Sequence, residues 1–184
     1  MIGPVDVTNI RIETERLILR PWREADVEDF HAYASHPDVG IHAGWKPHSC
    51  IEESRKILNM FLADKKVLAL ELKETGRVIG SLGLEEPNPD PTPDGYGREI
   101  GYVLGKDHWG RGLMVEAVKA VIDYCFSVLR FDFLTCSHFL PNNRSRRVIE
   151  KCGFTYFGDS DYQTQLGTLE VSKNYIMYNF QKER

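Results

Sequence analysis

Between Arg98 and Val118 the chain reads REIGYVLGKDHWGRGLMVEAV. Its first eight residues have the apolar, strand-like run that Gly105 brings to an end. From Leu113 onward the apolar residues fall at helical spacing: Leu113, Ala117, Val121, Cys125 and Leu129 make one stripe, with Met114, Val118 and Ile122 beside it. Glu116, Lys119, Asp123 and Arg130 fall mostly on the other side, so this is an amphipathic helix packed on a sheet. The join contains Gly110 and Gly112 with Arg111 between them. The first amides of a helix have no internal partner and carry the positive end of its dipole. Glycines there let a bulky anion reach the backbone, and Lys106 and Arg111 add positive charge. A tight turn before an ordinary helix start would use the same glycines.

The surrounding pattern restricts the fold. Arg16–Trp22 reads as a strand and 23–34 as a helix, with HPDVG breaking it. A second helix lies within HSCIEESRKILNMFLADK, where Ser49 and Glu52 stand at capping-box spacing. VLALELKETGRVIGSLGLEE reads as two strands turning at 75–77. PNPDPTPDGYG has four prolines and is a loop, either a solvated connection or a rim over a site. After the long helix come the strand DFLTCSHFL, the short helix NRSRRVIEKCG and a closing pair of strands. Strands outnumber helices, and β-α-β alternation occurs only in the second half. The expectation is one α/β domain with a mixed, mostly antiparallel sheet of about seven strands and four flanking helices.

With 184 residues the chain is long enough for a single core, and a net charge of -4 argues against a protein built to neutralise nucleic-acid phosphates. No early stretch reads as a signal peptide, and no apolar run approaches membrane-spanning length, so a cytoplasmic location is expected. The four cysteines, Cys50, Cys125, Cys136 and Cys152, form no C-x-x-C pair and have no zinc spacing. They read as reduced, buried small hydrophobes, with no metal expected.

GRGLMV approximates the dinucleotide fingerprint G-x-G-x-x-G, but its last position is Val115, and the following strand ends without an acidic residue to hold a ribose. A different succession accounts for more of the chain. TERLILRPW, then IGYVLGKDHWGRGLMVEAV, then NNRSRRVIEKCGF resembles the GNAT acetyltransferases, and more closely their RimJ/RimL branch of ribosomal-protein N-terminal acetyltransferases. The resemblance spans 14–182 and leaves 1–13 as an N-terminal extension.

The resemblance implies two central parallel strands that splay apart, here REIGYVLG and FLTCSHFL, with acetyl-CoA between them. The pantetheine arm would follow Tyr102, Val103 and Leu104, and the pyrophosphate would sit on the amides of Trp109, Gly110, Arg111, Gly112, Leu113 and Met114. Trp109 and Met114 depart from the family's usual residues at the two ends of that motif. Many relatives carry a tyrosine acid seven residues after the motif asparagine; counted from Asn142, that position is Ile149. The branch's serine, here Ser145, is the implied proton donor to the thiolate, although it equally suits the first turn of the short helix. Glu99 is the implied base, with His138 a second candidate, and a sheet carboxylate paired with Arg98 is the ordinary alternative for Glu99.

Arg144 and Arg147 are implied contacts of the 3′-phosphate, against a solvated helix face. Trp22, Trp45 and Glu85 are candidates for the acceptor pocket. The implied partners are acetyl-CoA and an amine acceptor, either a protein N-terminus or a small amine. Neither nucleic acid nor a membrane is implied, and the chain would be a monomer or a homodimer. A non-catalytic CoA-binding or sensing module is the alternative.

Overall fold

The computed structural model describes residues 5–91 and 95–180. Among them, eight strands form one sheet in the order β1-β2-β3-β4-β5-β6-β8-β7. The strands are β1 (Ile12–Glu13), β2 (Leu17–Pro21), β3 (Val67–Leu72), β4 (Arg77–Glu85), β5 (Gly97–Leu104), β6 (Phe133–Phe139), β7 (Thr155–Gln163) and β8 (Leu169–Tyr178). Five α-helices accompany them: α1 (Val27–Ala34), α2 (Pro37–Gly40), α3 (Ile51–Asp64), α4 (Leu113–Ser127) and α5 (Asn143–Cys152). The extra strand over the expected count is the two-residue β1, too short to carry a period. The extra helix is the single turn α2, inside the segment expected only to break a helix. His36 caps it by accepting from the Asp38 amide, and Pro37 presets its first φ.

Alternation along the strands divides the core in two. Leu68, Leu70 and Leu72 of β3 join Leu82, Ile100 and the α4 side chains Leu113, Val118 and Val121 in one cluster. Ala69 of β3 and Val78 of β4 pack with Trp22, Phe30 and Leu58 under α1 and α3 in the other. A period of two places successive side chains on opposite faces, so one strand serves both layers. Residues 5–13, set apart in the sequence as an extension, contribute Val5, Val7 and Ile10 to the first cluster and supply β1.

The start of α3 falls one residue later than its capping-box spacing suggested. The helix begins at Ile51, and the backbone N–H and hydroxyl of Ser49 both donate to Glu53, not Glu52. Cys50 is exposed at the cap of this helix, whereas the three other cysteines are buried as expected; all four are free.

Strands β5 and β6 are the parallel pair, and their ladder is short. It joins Gly97 to Phe133, Arg98 to Leu134 and Glu99 to Thr135, and then stops. Beyond it β5 stays paired with β4 as far as Leu104, and β6 stays paired with β8 as far as Phe139. Each strand follows its outer neighbour, and the sheet opens between them into a V.

The closed end of the V depends on a glycine. A Cβ at Gly97 would lie 2.5 Å from the Phe133 ring. Gly97→Ala is expected to lower stability by about 1–3 kcal/mol through overpacking. Urea unfolding should show a lower midpoint at unchanged slope; a wild-type midpoint would show that this contact does not hold the strands together.

Candidate functional site

The loop between β5 and α4 begins with a short 3-10 turn at Lys106–His108 and ends in the glycine pair. Gly110 and Gly112 both adopt φ +75°. At Gly110 an added Cβ would meet nothing within 4 Å, and at Gly112 only the Arg16 guanidinium at 3.7 Å. The glycines are therefore needed for the left-handed backbone, which disfavours a side chain, and the space beside them stays open. That is the form a backbone anion cradle requires at the head of α4. Leu113 and Met114 turn their side chains into the core, so those two positions can offer an anion only backbone.

The cradle's edges are fixed by side chains. The Trp109 indole N–H donates to the Leu104 carbonyl at 2.8 Å, tying the loop to the end of β5. The Arg144 guanidinium lies over the Trp109 ring, 3.9 Å from its centre. This cation–π stack brings the start of α5 to the mouth of the loop. The aromatic at the motif's first position thus has a structural reason. Lys106 pairs with Asp38 of α2, and Arg147 is exposed on α5. Arg146 is engaged with Glu150 along the helix.

Glu99 stands at the last rung of the parallel ladder. Its Oε1 accepts from the Ser137 hydroxyl at 2.7 Å, and its Oε2 accepts from the Asn88 backbone N–H at 3.2 Å. Burial raises its carboxyl above the usual glutamate range, with a smaller push from Glu85, and the two hydrogen bonds oppose that rise. Glu85 lies directly across the β4–β5 ladder, exposed and paired with Lys66. The expected partner Arg98 instead meets Glu86 and projects to the opposite face of the sheet. The proline-rich loop, through Asn88, therefore bears on Glu99; its positions 92–94 lie outside the described residues.

On the other arm of the V, Asn142 caps α5 by accepting from the Ser145 amide at 3.2 Å. The Ser145 hydroxyl is not consumed by that cap. It lies 2.8 Å from the Tyr102 phenol, which reaches over from β5 and also donates to the Ser145 carbonyl at 3.2 Å. Burial pushes the Tyr102 phenol well above its ordinary pKa, so it stays a neutral hydrogen-bond donor.

Several candidates lie elsewhere. Trp22 is 4% exposed and packs against Phe30 and Phe61 in the core under α1 and α3, and its edge borders a cavity with Ile10, Arg20 and Arg23 that includes neither Glu99 nor Ser145. The Trp45 ring covers Gly40, where a Cβ would sit 2.3 Å from it, and lies beside His48. His138 is buried on the face opposite Glu99. Its Nδ1 is 2.8 Å from the Phe139 carbonyl and therefore carries the hydrogen, and its Nε2 faces the Tyr175 hydroxyl at 3.3 Å. Both ring nitrogens are occupied, which removes His138 as a base for chemistry beside Glu99. Ile149 is fully buried in the first core cluster.

Sequence reasoning missed Ser137, Asn88 and the Tyr102–Ser145 contact. Ser137 left a trace: with Thr135 it gives β6 two hydroxyl side chains at period two, on one face of the strand. Asn88 left none.

Comparison with known proteins follows the same lines. Residues 16–155 match the family described as the acetyltransferase (GNAT) domain. The chain is 30% identical over 163 residues to p20 of Bacillus licheniformis, described as an uncharacterized N-acetyltransferase, covering 85% of this chain and 89% of that one. A ribosomal-protein-S5-alanine acetyltransferase from Vibrio fischeri shares the fold with TM-score 0.73 and 18% identity, over 94% of this chain and 98% of the other. A spermidine N-acetyltransferase from Vibrio cholerae, solved with CoA and spermine, does so with TM-score 0.74 and 17% identity, over 93% and 100% of the two chains.

The packing around Ile149 yields a test. Ile149→Tyr is expected to cost about 1–3 kcal/mol by forcing a larger, polar side chain into a filled site. Thermal melting checks this; an unchanged melting temperature would mean the site has room for a phenol.

Proposed function

The chain belongs to the GNAT family of acetyl-CoA-dependent N-acetyltransferases, and from that premise we propose that it acetylates the α-amine of a protein N-terminus, as a member of the RimJ/RimL-like branch. The observation that carries the chemistry is the half-buried Glu99 at the last rung between β5 and β6, held by Ser137 and Asn88, with the Ser145 hydroxyl on α5 bordering the opening V.

In this proposal the glycine loop receives the pyrophosphate of acetyl-CoA on its backbone amides. The pantetheine arm lies along the inner edge of β5 at Tyr102, Val103 and Leu104, where the ladder to β6 has ended. Arg144, stacked on Trp109, lies at the mouth of the loop as the candidate 3′-phosphate contact, and the exposed Arg147 is a further one. A neutral amine attacks the thioester carbonyl, and a C–N bond forms as the C–S bond breaks. Glu99 accepts the proton the amine must lose, directly or through a water. Ser145 gives its hydroxyl proton to the leaving sulfur and is reprotonated from solvent. The Tyr102 phenol, kept neutral by burial, is hydrogen-bonded to the serine hydroxyl and holds it at the edge of the V.

The acceptor is read from the three ordered motifs, and the fold shared with the Vibrio fischeri enzyme is compatible with it. A small polyamine is a second reading, favoured by the adjacent carboxylates Glu85 and Glu99 and by the fold shared with the spermidine enzyme. Thiol release from acetyl-CoA should be followed with peptides beginning in Ala or Ser and, separately, with spermidine. Turnover of the peptides alone is expected. Turnover of spermidine alone would reverse the assignment, and acetyl-CoA binding without turnover on any amine would leave a sensing module.

Glu99→Gln is expected to lower kcat by about 10²–10⁴-fold. Because the base works deprotonated and its pKa is raised, activity should fall as pH drops through a value above the ordinary glutamate range. A wild-type acid limb at or below the ordinary range, or one that persists in Glu99→Gln, would assign the base elsewhere.

A further inference from the structure

The N-terminal motif TERL contacts the head of α4. Glu116, in the first turn of that helix, accepts from the Thr14 hydroxyl at 2.6 Å and the Arg16 backbone N–H at 2.8 Å through Oε1. Its Oε2 accepts from Arg16 Nε and Nη2, both at 2.7 Å. A planar guanidinium bound through two of its nitrogens to a carboxylate cannot turn freely, so the third nitrogen has a set direction. That nitrogen, Nη1, donates to the Arg111 carbonyl at 2.9 Å.

The Arg111–Gly112 peptide lies between the two glycines of the cradle. Gly112 has φ 75° and ψ 3°, the values of the third residue of a type II turn. Reversing the preceding peptide converts such a turn to type I, where φ is near −90°, and glycine tolerates both. The glycines that open the loop therefore leave this peptide free to face either way. In a trans peptide the C=O and the N–H point in opposite directions. Holding the Arg111 carbonyl against Arg16 turns the Gly112 N–H away from Arg16.

We propose that Arg16 is a positioning residue for the cosubstrate: by pinning the Arg111 carbonyl it orients the Gly112 N–H into the cradle, ready for the pyrophosphate. This rests on the assignment of the glycine loop as the pyrophosphate seat. Glu116 and Thr14 complete the device by fixing the guanidinium. Burial alone would raise the Glu116 carboxyl, but the hydrogen bonds from Thr14 and Arg16 outweigh it and keep the group ionised. The fixed cation also neutralises a carboxylate that would otherwise oppose an anion at the helix start.

The test compares acetyl-CoA with S-acetylpantetheine, which has the same thioester and arm but no pyrophosphate. In Arg16→Ala the KM for acetyl-CoA should rise about tenfold, the loss of one charge-assisted hydrogen bond. The kcat and the kinetics with S-acetylpantetheine should stay at wild-type values, which also shows that the variant is folded. Arg16→Lys keeps the charge without the fork, so it should retain most of the increase.

An unchanged KM for acetyl-CoA in Arg16→Ala overturns the proposal. So does an equal rise with both thioesters, or full recovery in Arg16→Lys, which would make charge alone sufficient. Gly110→Val probes the seat independently, since it fills open space at a left-handed residue. If that variant binds acetyl-CoA as wild type does, the loop is not the seat, and the assignment of the loop fails along with the role of Arg16. If Gly110→Val weakens acetyl-CoA and Arg16→Ala does not, only the role of Arg16 fails.

Discussion

Two parallel strands that part after three paired positions are the constraint around which this molecule is arranged. A sheet normally satisfies backbone groups on both sides of an inner strand. Here β5 and β6 each remain bound to an outer antiparallel neighbour while their shared edge opens. The opening creates a slot with backbone donors and acceptors along its walls, inside a sheet that has helices packed on both faces. An extended chain with amide groups can enter such a slot as an added strand would. The glycine loop lies at the open end of one wall, because β5 runs directly into it, and Glu99 marks the closed end.

Side chains then stitch the open V together from both faces. Tyr102 crosses from β5 to Ser145 on α5, and Arg144 reaches back from α5 to Trp109 in the loop. On the other face, Ser137 of β6 and the Asn88 amide hold Glu99. None of these contacts closes the slot by pairing its edges. They fix its width and leave the backbone available. Rotamers held by neighbours in this way keep reacting groups in place without reorganisation when a substrate arrives.

The charge balance follows the same economy. The chain is acidic overall, yet arginines are immobilised at the entrance to the loop. Arg16 is held by Glu116, and Arg144 by an aromatic face. A surface ion pair is worth little to stability on its own. A pair that directs a peptide or a guanidinium toward a ligand site has a value that folding measurements do not register.

Periodic patterns alone determined the long helix α4, the strands β2 to β6 and the short helix α5, and the glycine pair marked the join between strand and helix. Those features rest on local spacing and backbone sterics, which a linear sequence records. The ordered motifs also pointed to the family, and the resemblance implied one site for Glu99, Ser145 and the glycine loop. Tertiary structure decided what the side chains do there. Trp22 entered the core, and His138 turned to the far face, because on a strand a single residue of register selects the face. Ser137, Asn88 and Arg16 came to the site from positions 38, 11 and 95 residues away from the groups they hold. Contacts at such separations depend on how strands align in space, and no local rule of spacing encodes them.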